Sequence, residues 1–435
     1  MGETDTDAAD QFDAAISERK LDEGRPGLWQ RYRRLPKNVF VISLISLLND
    51  ASSEIIYPLL PLFLTITLGA SPKVVGLVEG AAESVSSLLK LFAGYFSDRR
   101  GKRKGWVVGG YALANFVRPL LGVATNWFQV LAIRLTDRVG KGIRTAPRDA
   151  MIADAVSVKE RGLAFGFHRA MDHAGAVIGP LIGFLLISWV ASDKNHATAS
   201  DFKKIFLLAS VPALAAVLVA VFGLRESEMK GNGNGVTKPK LTLRGFDTNF
   251  RRFLFILALF TLSNSSDAFL LLRAKDSGIL ESNLLLLWAA LHGTKVLSSL
   301  IGGDLSDRLG RRMLIVSGWL LYAAVYLGFA FVQTPGAAWA LFLIYGVYFG
   351  LAEGAEKALV ADLVRPEQRG TAYGLYNLAF GVTVFPASYL MGTVWDMYGP
   401  QAAFIMSAGI GTLAALLLLA LVRIRAGHSQ QPQNS

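Results

Sequence analysis

Residues 94–103, GYFSDRRGKR, return as residues 303–312, GDLSDRLGRR. Gly94, Ser97, Asp98, Arg99 and Gly101 reappear at a constant offset as Gly303, Ser306, Asp307, Arg308 and Gly310. Further along, ADAVSVKERGLAFG (153–166) is answered by ADLVRPEQRGTAYG (361–374) at nearly the same offset. Two motifs repeated in the same order over most of the chain imply a duplicated structural unit, a common plan among membrane transporters. The intervening sequence says what each unit is made of.

Between the motifs the chain is apolar. Of its 435 residues 52% are hydrophobic and 18% charged, against roughly 25% charged in soluble domains, and mean hydropathy is +0.40. A bilayer core needs about 20 apolar residues per helix. Hydropathy predicts spans at 39–66, 74–97, 105–124, 127–153, 162–190 and 204–224, then at 250–273, 283–304, 311–332, 336–362, 369–394 and 401–424. The polar, Gly- and Asn-rich stretch 225–249 has the composition of a flexible linker. The expected fold is therefore all-α and membrane-integral, with twelve transmembrane helices in two pseudo-symmetric six-helix bundles, 39–224 and 250–424. A cytosolic tail (1–38), a cytosolic linker (225–249) and a second cytosolic tail (425–435) complete the chain.

The formal charge of +11 raises the question of nucleic acid, but the basic residues sit in RYRRLPK, DRRGKRKG, the linker, DRLGRR and RIRAGH. These segments alternate sides, which reads as a positive-inside signal with both termini in the cytoplasm of a cell inner or plasma membrane. No nucleic-acid partner is expected. With no cysteine there is no thiol nucleophile or thiolate metal site. The first 38 residues lack the apolar core and cleavage site of a signal peptide.

GYFSDRRGKRKG and its copy GDLSDRLGRR resemble the loop signature of the major facilitator superfamily, G-x-x-x-D-R-x-G-[KR]-[KR]. Residues 175–183, GAVIGPLIG, are similar to the G-x-x-x-G-P-x-x-G of that family's drug and proton antiporters. Arg134 can take the place of that branch's helix-four Arg, although Asp137-Arg138 follow where Gln-Gly is usual. The resemblance implies a secondary transporter working by alternating access. It implies gating at Gly94, Asp98, Arg99, Gly303, Asp307 and Arg308, whose contacts latch one side closed. For Gly175, Gly179, Pro180 and Gly183 two readings stand: a kinked gate helix that limits leak, or close packing through small residues.

Ionisable residues within spans are costly and default to functional candidates. At 100° per residue, Arg134, Asp137, Arg138, Lys141, Arg144 and Arg148 share an arc of roughly 120° on helix four. That basic stripe must line a cavity or pair with acids. Acids and other polar groups are near: Asp50 and Glu54 on helix one, Glu79, Glu83 and Lys90 on helix two, His168, Arg169, Asp172 and His173 on helix five. The second half offers Asn264, Ser265, Ser266, Asp267, His292, Lys295, Glu353, Glu356 and Lys357. The repeat offset sets Glu356 and Lys357 opposite Arg148 and Asp149.

The expected substrate-binding residues are Arg138, Lys141, Arg144, Arg169, Asp267, Glu353, Glu356 and Lys357, because guanidinium and ammonium groups match carboxylate or phosphate oxygens. Proton coupling needs a carboxylate or His whose surroundings alternate, which selects Asp50, Glu54, Asp172 and His168. A divalent cation could use Asp50, Glu54, Glu83, His168 and His173, but the neighbouring arginines oppose it, and no metal site is expected. No P-loop, Ser-His-Asp or dinucleotide motif is present. The chain is thus expected to be a monomeric, non-enzymatic transporter, without cofactor and driven by a proton or other ion gradient. The favoured reading is proton-coupled export of a small polar or charged organic compound. A symporter importing an organic anion is the alternative, with a metal or metal-chelate transporter or a non-transporting membrane sensor behind it.

Overall fold

The computed structural model describes residues 33–100, 102–157, 161–191, 197–226, 243–365 and 368–422. Most of the two expected tails and the middle of the expected linker lie outside those residues.

Every regular element among the described residues is helical. The first half comprises α1 (Lys37–Thr67), α2 (Pro72–Arg100), α3 (Lys104–Val123), α4 (Trp127–Ala155), α5 (Arg161–Val190) and α6 (Ala199–Gly223). The second half comprises α7 (Thr248–Asp276), α8 (Glu281–Leu309), α9 (Arg311–Phe331), α10 (Pro335–Asp362), α11 (369–398) and α12 (400–421).

Local chemistry fixes several boundaries. The Asn126 side chain accepts from the Gln129 amide to start α4, and a reciprocal Thr198–Asp201 capping box starts α6, each satisfying amides with no intrahelical partner. Pro335 occupies the first turn of α10 after the Thr334 cap. The boundary between α11 and α12 is Gly399, at φ +83°, a conformation open to glycine at little cost. Pro119 follows the point where α3 tightens to a 3-10 turn.

Among the described residues, eight stretches are long and apolar enough on composition to cross a membrane. The helices α2 and α4 fall outside that set because their inward faces carry charges, and α11 runs on into α12. The fold is nevertheless the expected twelve-helix arrangement.

Packing repeats between the halves. Within the first, α1 lies on α5 and α6, and α4 on α2 and α3; within the second, α8 and α9 lie on α10. The halves meet along two seams, α2 with α11 and α5 with α8. Close approach needs small residues: a β-carbon on Gly80 would sit 2.9 Å from that of Ser388 on α11, and one on Gly183 would sit 3.0 Å from Leu285 on α8.

The two ends of the molecule differ. At the end away from the basic loops, one continuous apolar core draws on both halves, including Ile55, Leu59 and Phe63 with Leu270, Leu284 and Leu285. At the basic-loop end, the cluster around Val39, Tyr111 and Met151 belongs to the first half alone. Among the described residues, a shared apolar core therefore seals the halves together at one end and not at the other.

Candidate functional site

Between the halves lies a cavity of about 570 Å³, within the usual range for small-molecule sites. Its wall includes Arg169 and Glu353, whose side chains are 58% and 46% exposed. Solvent therefore reaches the cavity from the basic-loop end.

Helix α4 supplies the charged wall, since helical phase puts Arg134, Asp137, Arg138, Lys141, Arg144 and Arg148 all on the lining. Most of these charges are engaged. Arg134 donates to both oxygens of Glu79, at 3.0 and 2.6 Å. Asp137 accepts from Arg118 at 2.8 Å. Arg138 lies 3.8 Å from Glu83 and 3.9 Å from Asp137, and Arg148 pairs with Asp149 at 2.9 Å. Buried charges without partners are expensive; each of these four has an opposite charge within 4 Å, although Arg138 Nε makes no hydrogen bond among the described residues.

Two cations of α4 differ. Arg144 is buried, stacks its guanidinium 4.3 Å from the Tyr111 ring centre, and leaves Nη1 without a hydrogen-bond partner. Lys141 has no carboxylate within ion-pair distance among the described residues. With Lys90 of α2, which lines the same cavity and also has no ion pair among the described residues, these groups are left to meet an incoming anion.

On the other wall α7 is broken. Its helix stops at Ser263 and resumes at Ala268, and the unwound Asn264, Ser265, Ser266 and Asp267 line the cavity. Irregular backbone at membrane depth is tolerated where it lines such a cavity. Ser388 on α11 accepts from the Ser266 amide at 3.1 Å. Asp267 accepts from Tyr345 at 2.7 Å and lies 3.6 Å from Lys295, whose ammonium sits 3.7 Å from the Phe349 ring centre.

The remaining expected residues separate by position. Asp50 lines the cavity and accepts from Asn49 at 2.8 Å. Glu54, also on the wall, accepts from Trp288 Nε1 of the opposite half at 2.7 Å. Arg169 reaches Glu353 across the halves at 3.3 Å. Asp172 lines the cavity, with buried His168 3.6 Å behind it and off the lining. Glu356 does not face the cavity: it is buried against α9 and α11, accepting from Trp319 at 2.8 Å and Tyr376 at 2.9 Å. Lys357 bonds Glu353 at 2.9 Å and is likewise off the lining. The repeat offset gave their register correctly as residues of α10, but the indole and phenol draw the Glu356 carboxylate away from Arg148.

The side chains of Gly94, Asp98, Arg99, Gly303, Asp307 and Arg308 lie outside the described part of the structure, although their backbone belongs to α2 and α8. The glycines of α5 face α1. A β-carbon on Gly175 would sit 2.6 Å from the Leu47 carbonyl oxygen and 3.0 Å from the Asp50 β-carbon; on Gly179 it would sit 2.6 Å from the Ala51 carbonyl oxygen and 2.8 Å from the Glu54 β-carbon. Small-residue packing is thus present, and it falls on the two acids of α1.

Arg118 was not singled out by the sequence reading, yet it braces the first half. It donates to Ser52, Asn115 and Asp137 at 2.9, 3.0 and 2.8 Å. A lone Arg in the apolar run NFVRPLLG was the available signal. Trp288 and Tyr57, whose rings lie 5.1 Å apart on the wall, carried none. Among the described residues no three His, Asp or Glu group together to hold a metal ion.

Comparison with known proteins agrees with this architecture. A family model described as Major Facilitator Superfamily matches residues 42–352 and, in a second match, 253–435. An uncharacterised transporter of that type from Methanocaldococcus jannaschii is 34% identical over 396 residues, covering 89% of this chain and 95% of the relative. The multidrug resistance protein MdtG of Yersinia enterocolitica is 26% identical over 400 residues, covering 87% and 92%. Among solved structures, a bacterial homologue of the human lysosomal transporter Spinster, inward-facing and unoccupied, shares the fold with a TM-score of 0.68 at 17% identity, covering 89% and 96%.

Proposed function

This chain belongs to the Major Facilitator Superfamily, and we propose that it moves a small, negatively charged or zwitterionic organic compound across the membrane by alternating access, coupled to protons and in the direction of export. The observation that carries this reading is the pair Lys141 and Arg144, two cations left without carboxylate partners in a cavity between two half-molecules sealed at one end. Rocking of the halves about such a site would expose it to each side in turn. With the basic loops in the cytoplasm, the present arrangement is the one that loads from inside.

Export is supported by the relative named for multidrug resistance and by the complete helix-five glycine pattern. The carboxylates Asp50, Glu54 and Asp172, with His168 behind them, supply the proton-accepting groups, so an ion gradient provides the energy without a cofactor. Import by symport is the second reading. It is favoured by one observation: Asp50 and Glu54 share the cavity with the free cations, so an anion and a proton can occupy it together.

Everted vesicles separate the two. With an acidified lumen and a trapped pH dye, addition of a transported carboxylate alkalinises the lumen if exchange operates. Acidified vesicles whose lumen does not alkalinise on adding a compound that is demonstrably taken up would overturn antiport.

A further inference from the structure

We propose that Glu54 is the coupling carboxylate and that its charge state is read by Trp288, whose bond to it holds the sealed end of the cavity closed. The proposal rests on the transporter reading above and assigns its coupling to one pair of residues.

The two side chains belong to opposite halves, Glu54 to α1 and Trp288 to α8, and the indole Nε1 donates to the carboxylate at 2.7 Å. The contact lies toward the sealed end. Leu285, almost one turn from Trp288 in that direction, is the residue that abuts Gly183 of α5 across the same seam. The position of the carboxylate is built. Gly179 of α5 has no β-carbon, and one there would sit 2.8 Å from that of Glu54. The helix-five glycine pattern therefore positions the acid as well as packing the helices.

A hydrogen bond to an ionised acceptor is roughly twice as strong as one between neutral groups. If the halves part at the sealed end, the indole leaves with α8. An ionised Glu54 would then stand buried without this donor, which is costly, whereas the protonated acid loses a weaker bond. Ionised Glu54 favours the present arrangement and protonated Glu54 releases it.

The other charged and titratable groups sharing the wall are Asp50 and Tyr57 on α1, Glu79, Glu83 and Lys90 on α2, Arg118 on α3, Arg134, Asp137, Arg138, Lys141, Arg144 and Arg148 on α4, Arg169, Asp172 and His173 on α5, Asp267 on α7, His292 and Lys295 on α8, and Tyr345 and Glu353 on α10. Arg118, Arg138 and Lys295 have acidic partners already. Lys141 does not, and a cargo anion held there would lie in the same cavity as Glu54. Cargo binding and the charge of this acid are then reciprocally linked.

The chain contains no cysteine, so spin labels can be placed directly on cysteines introduced at Ile66 and Leu280, exposed positions at the sealed end on opposite halves. Distances are measured between them in lipid nanodiscs at alkaline and acidic pH. In the parent protein the short distance dominates at alkaline pH and a longer one grows on acidification. Glu54→Gln, and independently Trp288→Phe, each raise the long-to-short ratio roughly tenfold at alkaline pH and flatten the pH response, as expected for loss of a hydrogen bond to a charged group. A Glu54→Gln protein with the parent's distances and pH response overturns the proposal, and so does a silent Trp288→Phe. Two distance populations whose pH response survives both substitutions remove the interlock and leave alternating access standing. One fixed population in every variant removes both.

Discussion

Arg134 on α4 grips both carboxylate oxygens of Glu79 on α2, with side-chain exposures of 8% and 6%. By resemblance this Arg can take the place of the antiporters' helix-four Arg, yet here its guanidinium braces two helices. Its value to the protein is rigidity of the first half, from which the free cations are presented.

Breaking that brace exposes its structural role. Arg134→Gln or Glu79→Gln leaves one buried charge without its partner, and such losses cost about 3–5 kcal/mol. Thermal unfolding of the purified variants should fall well below the parent, and the double substitution Arg134→Met with Glu79→Leu should recover part of the loss. Equal stability of the single variants and the parent would contradict the brace.

Lys141→Gln and Arg144→Gln should behave in the opposite way. Neither removes a salt bridge, so folding and size-exclusion profile persist, while affinity for an anionic cargo falls by about tenfold or more, the usual scale for one charge-assisted contact. Titration calorimetry of a bound carboxylate reads this directly.

The glycines of α5 give a steric contrast. Gly179→Val forces a β-carbon against the Ala51 carbonyl and the Glu54 β-carbon, and overpacking of this kind costs about 1–3 kcal/mol. On the same helix, a β-carbon on Gly166 meets nothing within 4 Å, so Gly166→Ala should be neutral or stabilise by up to about 1 kcal/mol. Thermal shifts of the two variants should differ in sign or nearly so.

Glu356 tests the division between cavity and core. Its carboxylate accepts from Trp319 and Tyr376, and Glu356→Leu leaves both donors unsatisfied, at about 1–3 kcal/mol each. Stability should drop while the affinity of the folded fraction for cargo stays unchanged. A selective loss of affinity would return Glu356 to the binding site.

These contrasts mark how far the sequence could be read. Apolar run length found the helices, and helical phase put the α4 stripe on the cavity wall, because both are local properties of the chain. The partner of each charge was not legible. Asp137 meets Arg118 from another helix, Glu54 meets Trp288 some 234 residues away, and only packing brings them together. The repeat offset placed Glu356 on the correct helix but could not say which way its carboxylate turns, since Trp319 and Tyr376 decide that. Lys141 and Arg144 emerged as free cations only after the other charges had been matched.

The central claim is that this cavity carries an anion across the membrane at Lys141 and Arg144. A thermal-shift screen against carboxylates, phosphate esters, cationic drugs and metal chelates identifies a bound compound, and its radiolabelled form is then followed into proteoliposomes under an imposed pH gradient. The expected result is gradient-driven flux of a bound anion that is lost in the Lys141→Gln, Arg144→Gln double variant while that variant remains folded. Flux of the anion at the parent's rate in the double variant, or only at the rate of protein-free liposomes in the parent, would contradict the claim.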